Sequence, residues 1–354
     1  EIYMKRHCTM ARFSIALPVL LLLSAPLNAH EAWLLTPTEI EELSRAPVPP
    51  LFRSQLWLGL AACIAFALTI AALKCEPVLA RIEDHVIAPV WKRHGDVGPL
   101  VLRLGLAIMM VLCAFGGLPR HGTAPWGTPT FLVPDMQLTN VAGAETLIAI
   151  QVILSGLLIA GFATRACGVA LVALSLAGPA LFGPTFWSYT PHFAAPGLIL
   201  VALGAGRYSL DYALNWDVAE HFVAPHRQVL WRAAQILIGV GFIYLGLAYK
   251  LMQPTLLIAI LEHGNMPTFG LPIAVIALAM TGVEILCGAL MAIGRLIRPV
   301  ALAILGAITF LAMVLGETPL FHANLYSALF VILLAGRTVP IAHRPVRWQW
   351  SRAV

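Results

Sequence analysis

The sequence predicts an all-α fold, a polytopic transmembrane helical bundle with two tandem four-helix units and an N-terminal span. Three observations predict it. Hydrophobic residues make up 60% of the chain and charged residues only 11%, against roughly 25% charged in soluble domains. Several apolar runs approach the ~20 residues that cross a bilayer as a helix, and lipid offers open strands no partners for their backbone amides. The third observation is an internal repeat.

The charge pattern argues against nucleic acid as a partner. The formal charge is +5 and the pI is near 9.0, but the basic residues lie beside the ends of apolar runs, where they indicate orientation in a membrane. The six cysteines form no C-x-x-C pair, which argues against a thiol–disulfide relay. The lipid bilayer is therefore the partner that the composition predicts.

The first 29 residues have the pattern of a secretory signal peptide. Basic residues precede the apolar run 13–23, and small residues lead up to Ala29. Cleavage there would leave His30 as the mature N-terminus, and an uncleaved signal anchor is the alternative. Residues 30–54 are polar and proline-rich, and we expect them on the outer side of the membrane.

Nine spans and one amphipathic helix are predicted after this segment. The first span, 55–74, is followed up to residue 97 by apolar residues at helical spacing among charged ones, a pattern typical of a short helix on the membrane surface. The remaining spans are predicted at about 98–117, 144–163, 167–187, 192–206, 228–250, 270–293, 299–316 and 322–338. Their lengths reach or approach the ~20 residues that cross the hydrocarbon layer as a helix.

Basic residues predict the orientation of the spans. The loops that contain Arg165, Arg207, Arg295 and Arg337 fall on one side, together with the basic tail 339–354. An excess of positive charge marks the cytoplasmic side. We therefore expect a multi-pass protein of a bacterial-type inner membrane, with its mature N-terminus outside and its C-terminus in the cytoplasm.

Matches in register indicate an internal repeat of two four-helix units, 98–211 and 228–338. An arginine opens the first helix of each unit, a Gly-x-x-x-Arg turn follows the second helix, and a Gly-Arg pair follows a histidine at the same spacing in the fourth. The matched residues are Arg103 and Arg232, Gly161–Arg165 and Gly294–Arg298, Gly206 and Gly336, and His192 and His322. An even number of spans gives both copies the same orientation, as in parallel repeats.

This pattern resembles the DoxX/DoxD-like superfamily of four-helix membrane proteins. The resemblance lies in the opening arginines, the Gly-x-x-x-Arg turns and the segments 205–211, 282–290 and 322–326, and it covers about two-thirds of the chain. Members are described as small subunits of quinone-reducing or terminal oxidase complexes, including thiosulfate:quinone oxidoreductase, and many have no assigned activity. The resemblance implies a membrane subunit of a quinone-linked oxidoreductase, with a redox or membrane protein as its partner.

Polar residues inside the spans are the candidate site residues, because an ionisable group there costs about 2.5 kcal/mol or more. Glu284 lies mid-helix in the second unit, and Gln151 occupies the matching place in the first. His322, Asn324 and Tyr326 stand at the outer start of the last span, where His322 and Tyr326 would share a helix face. These two would bind a quinone carbonyl while Glu284 relays a proton. Alternatively, Glu284 pairs with an arginine or a backbone group and holds helices together.

Two metal-containing alternatives are also open. His192 and His322, as repeat mates, suggest a bis-histidine haem, although both lie near the outer surface and no second pair lies at another depth. A mature N-terminal His30 offers an α-amine and an imidazole together, which suits Cu(II), and His121 and His263 lie in outer loops. No spacing enforces either site, so the sequence favours quinone over haem or copper.

Three classes of function follow from these features. The first is a quinone-linked membrane subunit with a polar intramembrane pocket in the second unit. The second is a small-solute transporter or channel, which parallel repeats and midplane polar residues also suit. The third is an accessory or assembly protein without turnover. The sequence contains no nucleotide-binding, zinc-protease or hydrolase motif, so an enzyme of this sequence would be a quinone-linked oxidoreductase subunit.

Overall fold

The computed structural model describes residues 35–118, 127–217 and 219–339 of the chain. The predicted signal peptide, the metal candidates His30 and His121, and the tail beyond residue 339 lie outside these ranges. The described part begins with helix α1 (Pro37–Arg45), which is closed by a capping box: Thr36 accepts a hydrogen bond from the amide of Glu39, and the Glu39 carboxylate accepts one from the amide of Thr36. Two of the amides that a helix start leaves without partners are satisfied in this way.

Helices account for the regular structure of the described residues, where an isolated β-bridge joins Thr130 to Gln137. The longer helices after α1 are α2 (Gln55–His94), α3 (Val97–Ala114), α4 (Ala144–Ala160), α5 (Thr164–Phe182), α6 (Thr190–Leu203), α7 (Arg227–Tyr244), α8 (Pro254–His263), α9 (Ile273–Ile293), α10 (Ile297–Leu315) and α11 (Ala323–Ala335). A π-helical segment, Leu245–Leu251, continues α7, and 3-10 turns at Pro184–Ser188 and Pro319–His322 precede α6 and α11. The predicted all-α class is confirmed.

Six helical segments among the described residues are long and apolar enough to cross a membrane. They are Gln55–Trp91, Val97–Ala114, Thr164–Phe182, Glu220–Leu251, Ile273–Ile293 and Ile297–Leu315. Their outer faces carry many exposed large apolar side chains, which a soluble protein would not tolerate as a continuous surface. These helices indicate an integral, multi-pass membrane protein that contacts the lipid bilayer.

Three predicted spans form shorter helices than the sequence suggested. Helices α4, α6 and α11 have 17, 14 and 13 residues, so α6 is only about 21 Å long at 1.5 Å per residue. Glycines end α6 and α11 before the predicted limits, and 3-10 turns occupy the residues before each of them. Helix α8, in contrast, forms in a connection that the sequence analysis left without a helix.

Helix α2 replaces the two predicted helices with a continuous one of 40 residues. The sequence predicts a break near residue 75, where the apolar run gives way to charged residues. Pro77 and Pro89 lie within the helix, although proline lacks the amide proton that an inner helical position donates. At 1.5 Å per residue, α2 is about 60 Å long, twice the thickness of the ~30 Å hydrocarbon layer.

The helices of the two predicted units pack against each other as well as within each unit. Within each unit the first helix packs on the second (α3 on α4, α7 on α9) and the third packs on the fourth (α5 on α6, α10 on α11). Across the units, the first helix of each packs on the fourth helix of the other, α7 on α6 and α3 on α11. The described helices therefore form one bundle, and the two fourth helices, α6 and α11, contact each other within it.

Glycines allow two of these helix pairs to approach closely. A Cβ atom at Gly168 of α5 would lie 2.7 Å from the carbonyl oxygen of Gly197 of α6, and one at Gly239 of α7 would lie 2.5 Å from that of Gly288 of α9. No larger residue fits at such a distance without moving the backbone. Small residues at helix crossings are typical of membrane bundles, where close packing drives association.

Arginines from the first helices close the ends of the second helices. Arg103 of α3 donates to the carbonyl of Leu158 near the end of α4 over 3.1 Å. Arg232 of α7 donates to the carbonyl of Met291 near the end of α9, also over 3.1 Å. The last carbonyls of a helix have no partner within it, and a cation there also meets the negative end of the helix dipole.

Arginines from the third helices close the fourth helices at the same end of the bundle, which we call the arginine end. Arg165 of α5 donates to the carbonyl of Val201 near the end of α6. Arg298 of α10 donates to the carbonyls of Leu333 and Ala335 at the end of α11, each over 3.1 Å. The arginines that sequence analysis assigned to membrane orientation thus also cap helices.

The Gly-x-x-x-Arg turn has the same backbone conformation in both places. Gly161 and Gly294, which end α4 and α9, have φ of +67° and +79°. Two residues later Ala163 and Leu296 have φ of +50° and +52°, a left-handed conformation that costs a residue with a side chain about 1 kcal/mol. The glycines satisfy this conformation without strain, which explains why both turns begin with glycine.

The helix ends correct the register of the repeat in the fourth helices. Gly204 ends α6 with φ of +73°, Gly336 ends α11 with φ of +79°, and each lies against its capping arginine. Residues at the same distance before these two glycines are His192 and Asn324. His192 therefore corresponds to Asn324 and not to His322, because α6 ends before the Gly-Arg pair that the sequence match used.

Candidate functional site

The strongest candidate site lies between α6 and α7, at the end of the bundle opposite the arginine end. His192 is in the first turn of α6, and its side chain is buried. Its imidazole ring lies edge-on to that of Tyr189, with ring centroids 6.5 Å apart, and 6.2 Å from the ring of Phe242 on α7. The imidazole is therefore enclosed by aromatic rings at an interface between the two predicted units.

Two further predicted residues join His192 from the last helix. Asn324, in the first turn of α11, donates from Nδ2 to the backbone carbonyl of His192 over 2.9 Å. His322 directly precedes α11, and its imidazole interacts electrostatically with that of His192. We call these three residues the histidine cluster. Residues from both units form it, whereas the sequence analysis placed the pocket within the second unit.

Nε2 of His192 is one of several buried side-chain atoms without a hydrogen-bond partner among the described residues, and it is the one that belongs to this cluster. Leaving a buried polar atom unsatisfied costs about 1–3 kcal/mol, so such atoms normally have partners. A neutral imidazole carries one N–H donor and one acceptor nitrogen. A ligand with a carbonyl or hydroxyl oxygen has the chemistry that would satisfy this nitrogen.

Tyr326 lies apart from the histidine cluster. Its hydroxyl is 3.0 Å from Oγ1 of Thr309 on α10. The expectation that His322 and Tyr326 share a helix face assumed a continuous helix through both residues. His322 instead ends a 3-10 turn with φ of −126° and ψ of 23°, so the helical spacing of four residues does not apply to this pair.

Asp135 and Tyr189 are polar neighbours of the cluster that the sequence analysis did not select. The Tyr189 hydroxyl donates to the carboxylate of Asp135, which belongs to the connection between α3 and α4. Phe131 in the same connection is fully buried against the rings of Phe182 and Phe186. The connection is thus packed into the bundle, and it carries a carboxylate to the aromatic wall beside His192.

Gln151 holds this connection in place. The side chain is fully buried in α4; its Oε1 accepts from the amide of Leu132 over 2.8 Å, and its Nε2 donates to the carbonyl of Thr130 over 3.0 Å. Both ends of the amide are therefore satisfied by backbone groups. Gln151 has the geometry of a structural anchor, and it does not join the histidine cluster.

Glu284 forms an ion pair with Lys250. The Lys250 Nζ and Glu284 Oε2 atoms are 2.6 Å apart, and the two side chains are 19% and 13% exposed. Lys250 belongs to the π-helical segment that continues α7, so the pair joins α7 to α9. This agrees with the alternative in which Glu284 holds helices together, except that its partner is a lysine and not an arginine.

Glu317 lies in the turn between α10 and the 3-10 turn that carries His322. Burial raises the pKa of its carboxyl group to about 7. The cause is desolvation, which disfavours the charged form of a carboxyl group. The turn therefore holds an acid that titrates near neutral pH, five positions from His322 in the chain.

Comparison of the chain with protein-family models, with curated proteins and with solved structures gives no match. Among the described residues, no group of three or more histidine, cysteine, aspartate or glutamate side chains could hold a metal ion. The helical architecture and the histidine cluster therefore define the class of this protein: an integral, multi-pass α-helical membrane protein with a buried histidine, His192, between helices. The DoxX-like resemblance and the two-unit division stay predictions.

Proposed function

We propose that the protein binds the head group of a quinone at the histidine cluster and works as a membrane subunit at the quinone pool, beside a redox partner. The observation that supports this most directly is the buried Nε2 atom of His192, which has no hydrogen-bond partner among the described residues. A quinone carbonyl oxygen is an acceptor, and an imidazole N–H is a donor that suits it.

The surroundings of His192 fit the same ligand class. Tyr189 and Phe242 present aromatic rings, and pockets for planar ligands combine such apolar walls with few polar groups. His322 supplies a second imidazole, and a neutral imidazole has one donor and one acceptor nitrogen for the oxygens of a quinone and its reduced form. A quinone is soluble in the membrane and reaches such a site from the lipid.

The proposal is tested by titrating the purified protein in lipid nanodiscs with a short-chain quinone analogue. Removal of one ligand hydrogen bond costs about 1–1.5 kcal/mol, so we expect His192→Ala to weaken binding roughly tenfold and His322→Ala to weaken it as well. His85→Ala, at an exposed histidine of α2, is the matched control and should bind as the parent protein does. Unchanged affinity in both cluster variants would refute the proposal.

A specific observation favours transport of a small solute as a second candidate function. Lys250 and Glu284 form their ion pair between the apolar continuation of α7 and helix α9, where charged groups are costly and often mark ion or proton pathways. Lys250 also lies in a π-helical segment, and such segments are frequent at functional sites. Flux in proteoliposomes that needs no redox partner and is abolished by Glu284→Gln would support transport. In the quinone model, the same variant retains quinone binding.

A further inference from the structure

The second half of α2 contacts the arginine end of the bundle at three positions along its length. Glu76 accepts from the backbone amide of Leu296 over 3.4 Å, at the start of α10. Glu83 pairs with Arg298, also at the start of α10, over 2.9 Å. Trp91 lies against Gly98 at the start of α3, where a Cβ atom would be 3.1 Å from the indole ring.

These contacts fix the direction of this part of the helix. From Glu76 to Trp91 the helix rises about 23 Å at 1.5 Å per residue. If this part of the helix ran parallel to the bundle axis, Trp91 would contact the bundle about 23 Å closer to, or farther from, the opposite end than Glu76 does. Instead, all three residues contact helix starts at the arginine end. Residues 76–94, which we call the strap, therefore run across the arginine end of the bundle.

The strap has three different faces. One faces the bundle and carries Glu76, Glu83 and Trp91. A second carries an apolar stripe, in which Val78, Ile82, Val86 and Val90 are 58%, 54%, 59% and 44% exposed. The third face is polar and exposed, with Arg81, Asp84 and His85. A helix with one apolar and one charged exposed face is typical of the boundary between lipid headgroups and acyl chains.

We propose that the apolar stripe of the strap inserts into the lipid leaflet at the arginine end, and that the basic residues around it bind the headgroups of anionic phospholipids. The stripe continues a row of exposed apolar residues on the spanning half of α2, namely Trp57, Leu60, Ile64 and Leu68. Steps of three and four residues keep both rows on one side of the helix. Lipid in contact with the first row of residues is therefore continuous with lipid in contact with the apolar stripe.

The net charge of residues 74–94 favours one class of lipid headgroup. Glu76 and Glu83 are neutralised by Arg295 and Arg298. Residues 74–94 otherwise contain one acidic residue, Asp84, and the basic residues Lys74, Arg81, Lys92 and Arg93. Each basic residue near an anionic surface contributes about 1 kcal/mol of attraction. An excess of basic residues therefore favours anionic over zwitterionic headgroups.

Spin labels in reconstituted vesicles test the insertion of the stripe. Single cysteines at Val78, Ile82 and Val86 are compared with matched controls at Arg81, Asp84 and His85, in a protein whose Cys8, Cys63 and Cys75 are replaced by serine. We expect stripe labels to be accessible to oxygen and shielded from a water-soluble nickel complex, and control labels to show the reverse. Nickel access to the stripe, or strong spin–spin coupling between copies, would overturn the proposal by assigning the stripe to water or to a second copy.

The choice of headgroup is tested by comparing phosphatidylcholine vesicles with vesicles that contain about 30% phosphatidylglycerol. We expect the anionic lipid to lower nickel access at Val86 at least twofold, and the combined change Arg81→Gln and Arg93→Gln to abolish the difference. Combined Arg45→Gln and Arg53→Gln, outside the strap, is the control and should preserve it. Equal access in both lipids with the parent protein would refute anionic selectivity. These results are independent of quinone binding.

Discussion

At the level of single residues, buried polar side chains divide into anchors with partners and groups that keep a polar atom without a hydrogen bond. Gln151 gives both ends of its amide to the backbone, and Glu284 pairs with Lys250. These two occupy matching places in the predicted repeat, and each secures the region where the first helix of its unit ends. His192 differs because its Nε2 atom has no partner among the described residues. Burial alone therefore does not identify a ligand site; at His192 a missing partner coincides with an aromatic surrounding.

Removal of one member of the Lys250–Glu284 pair should destabilise the protein by about 2–3 kcal/mol, because the other charge stays largely buried. We expect Glu284→Gln to lower the midpoint of unfolding in detergent titrations. The double variant Lys250→Met and Glu284→Leu removes both charges and should regain most of the loss. Equal destabilisation in the single and double variants would show that the ion pair is not the cause.

Glu317 predicts a dependence of stability on pH. Its pKa is about 7 in the folded protein, against an ordinary value of 4.5, so the folded state holds the proton more tightly. The resulting stabilisation is fully present below about pH 4.5 and is lost as the pH rises through about 7, up to about 2 kcal/mol for this partly exposed group. We expect Glu317→Gln to reduce the fall in thermal midpoint across this range. Glu42→Gln, at an exposed site on α1, should leave the fall unchanged.

At the level of the helices, the arginine-capped helix ends and the close crossings at glycines determine how the bundle packs. The four capping arginines satisfy carbonyls at the ends of α4, α6, α9 and α11, and glycines permit the closest crossings. The sequence analysis identified the Gly-x-x-x-Arg turns from their letters alone. It assigned their arginines to orientation, because the carbonyl that an arginine caps belongs to a different helix and cannot be read from spacing along the chain.

The crossing of α5 and α6 predicts opposite results for two glycines. Gly168→Ala would place a Cβ atom 2.7 Å from the Gly197 carbonyl oxygen, and we expect a loss of about 2 kcal/mol from the forced displacement. Gly156→Ala is the matched control on α4, with no atom within 4 Å of its Cβ position; it should gain up to about 1 kcal/mol from helix propensity. A stability measurement that ranks the two variants the other way would contradict the assigned crossing.

At the scale of the whole molecule, the two predicted units complete the same contacts with different segments. In the first unit, Asp211 accepts from the amides that open α5, and Asp217 pairs with Arg165. In the second unit, the strap takes both roles, with Glu76 at the start of α10 and Glu83 on Arg298. Helix α2 is therefore part of the packing of the second predicted unit and is not a separate addition to the bundle.

This difference predicts a local effect of the strap on stability. Glu83→Gln removes the carboxylate that pairs with Arg298, so we expect hydrogen exchange of backbone amides to rise in α10 and α11. Exchange in α5 and α6 should stay unchanged, because Asp217 and not Glu83 pairs with Arg165. The matched variant combines Asp217→Asn and Glu220→Gln, because both carboxylates pair with Arg165, and it should show the opposite distribution. A uniform increase over all four helices in both variants would argue against separate local roles.

The helical membrane class, most of the spans and the Gly-x-x-x-Arg turns could be predicted from the sequence, because hydrophobic length and glycine conformation are local properties of the chain. The sequence could not predict that His192, His322 and Asn324 meet between the predicted units, that Tyr326 does not join them, or that α2 continues as one helix. Those outcomes depend on which helices pack together and where each helix ends. The contact between Asn324 and His192, for example, joins residues more than a hundred positions apart, and local spacing carries no information about it.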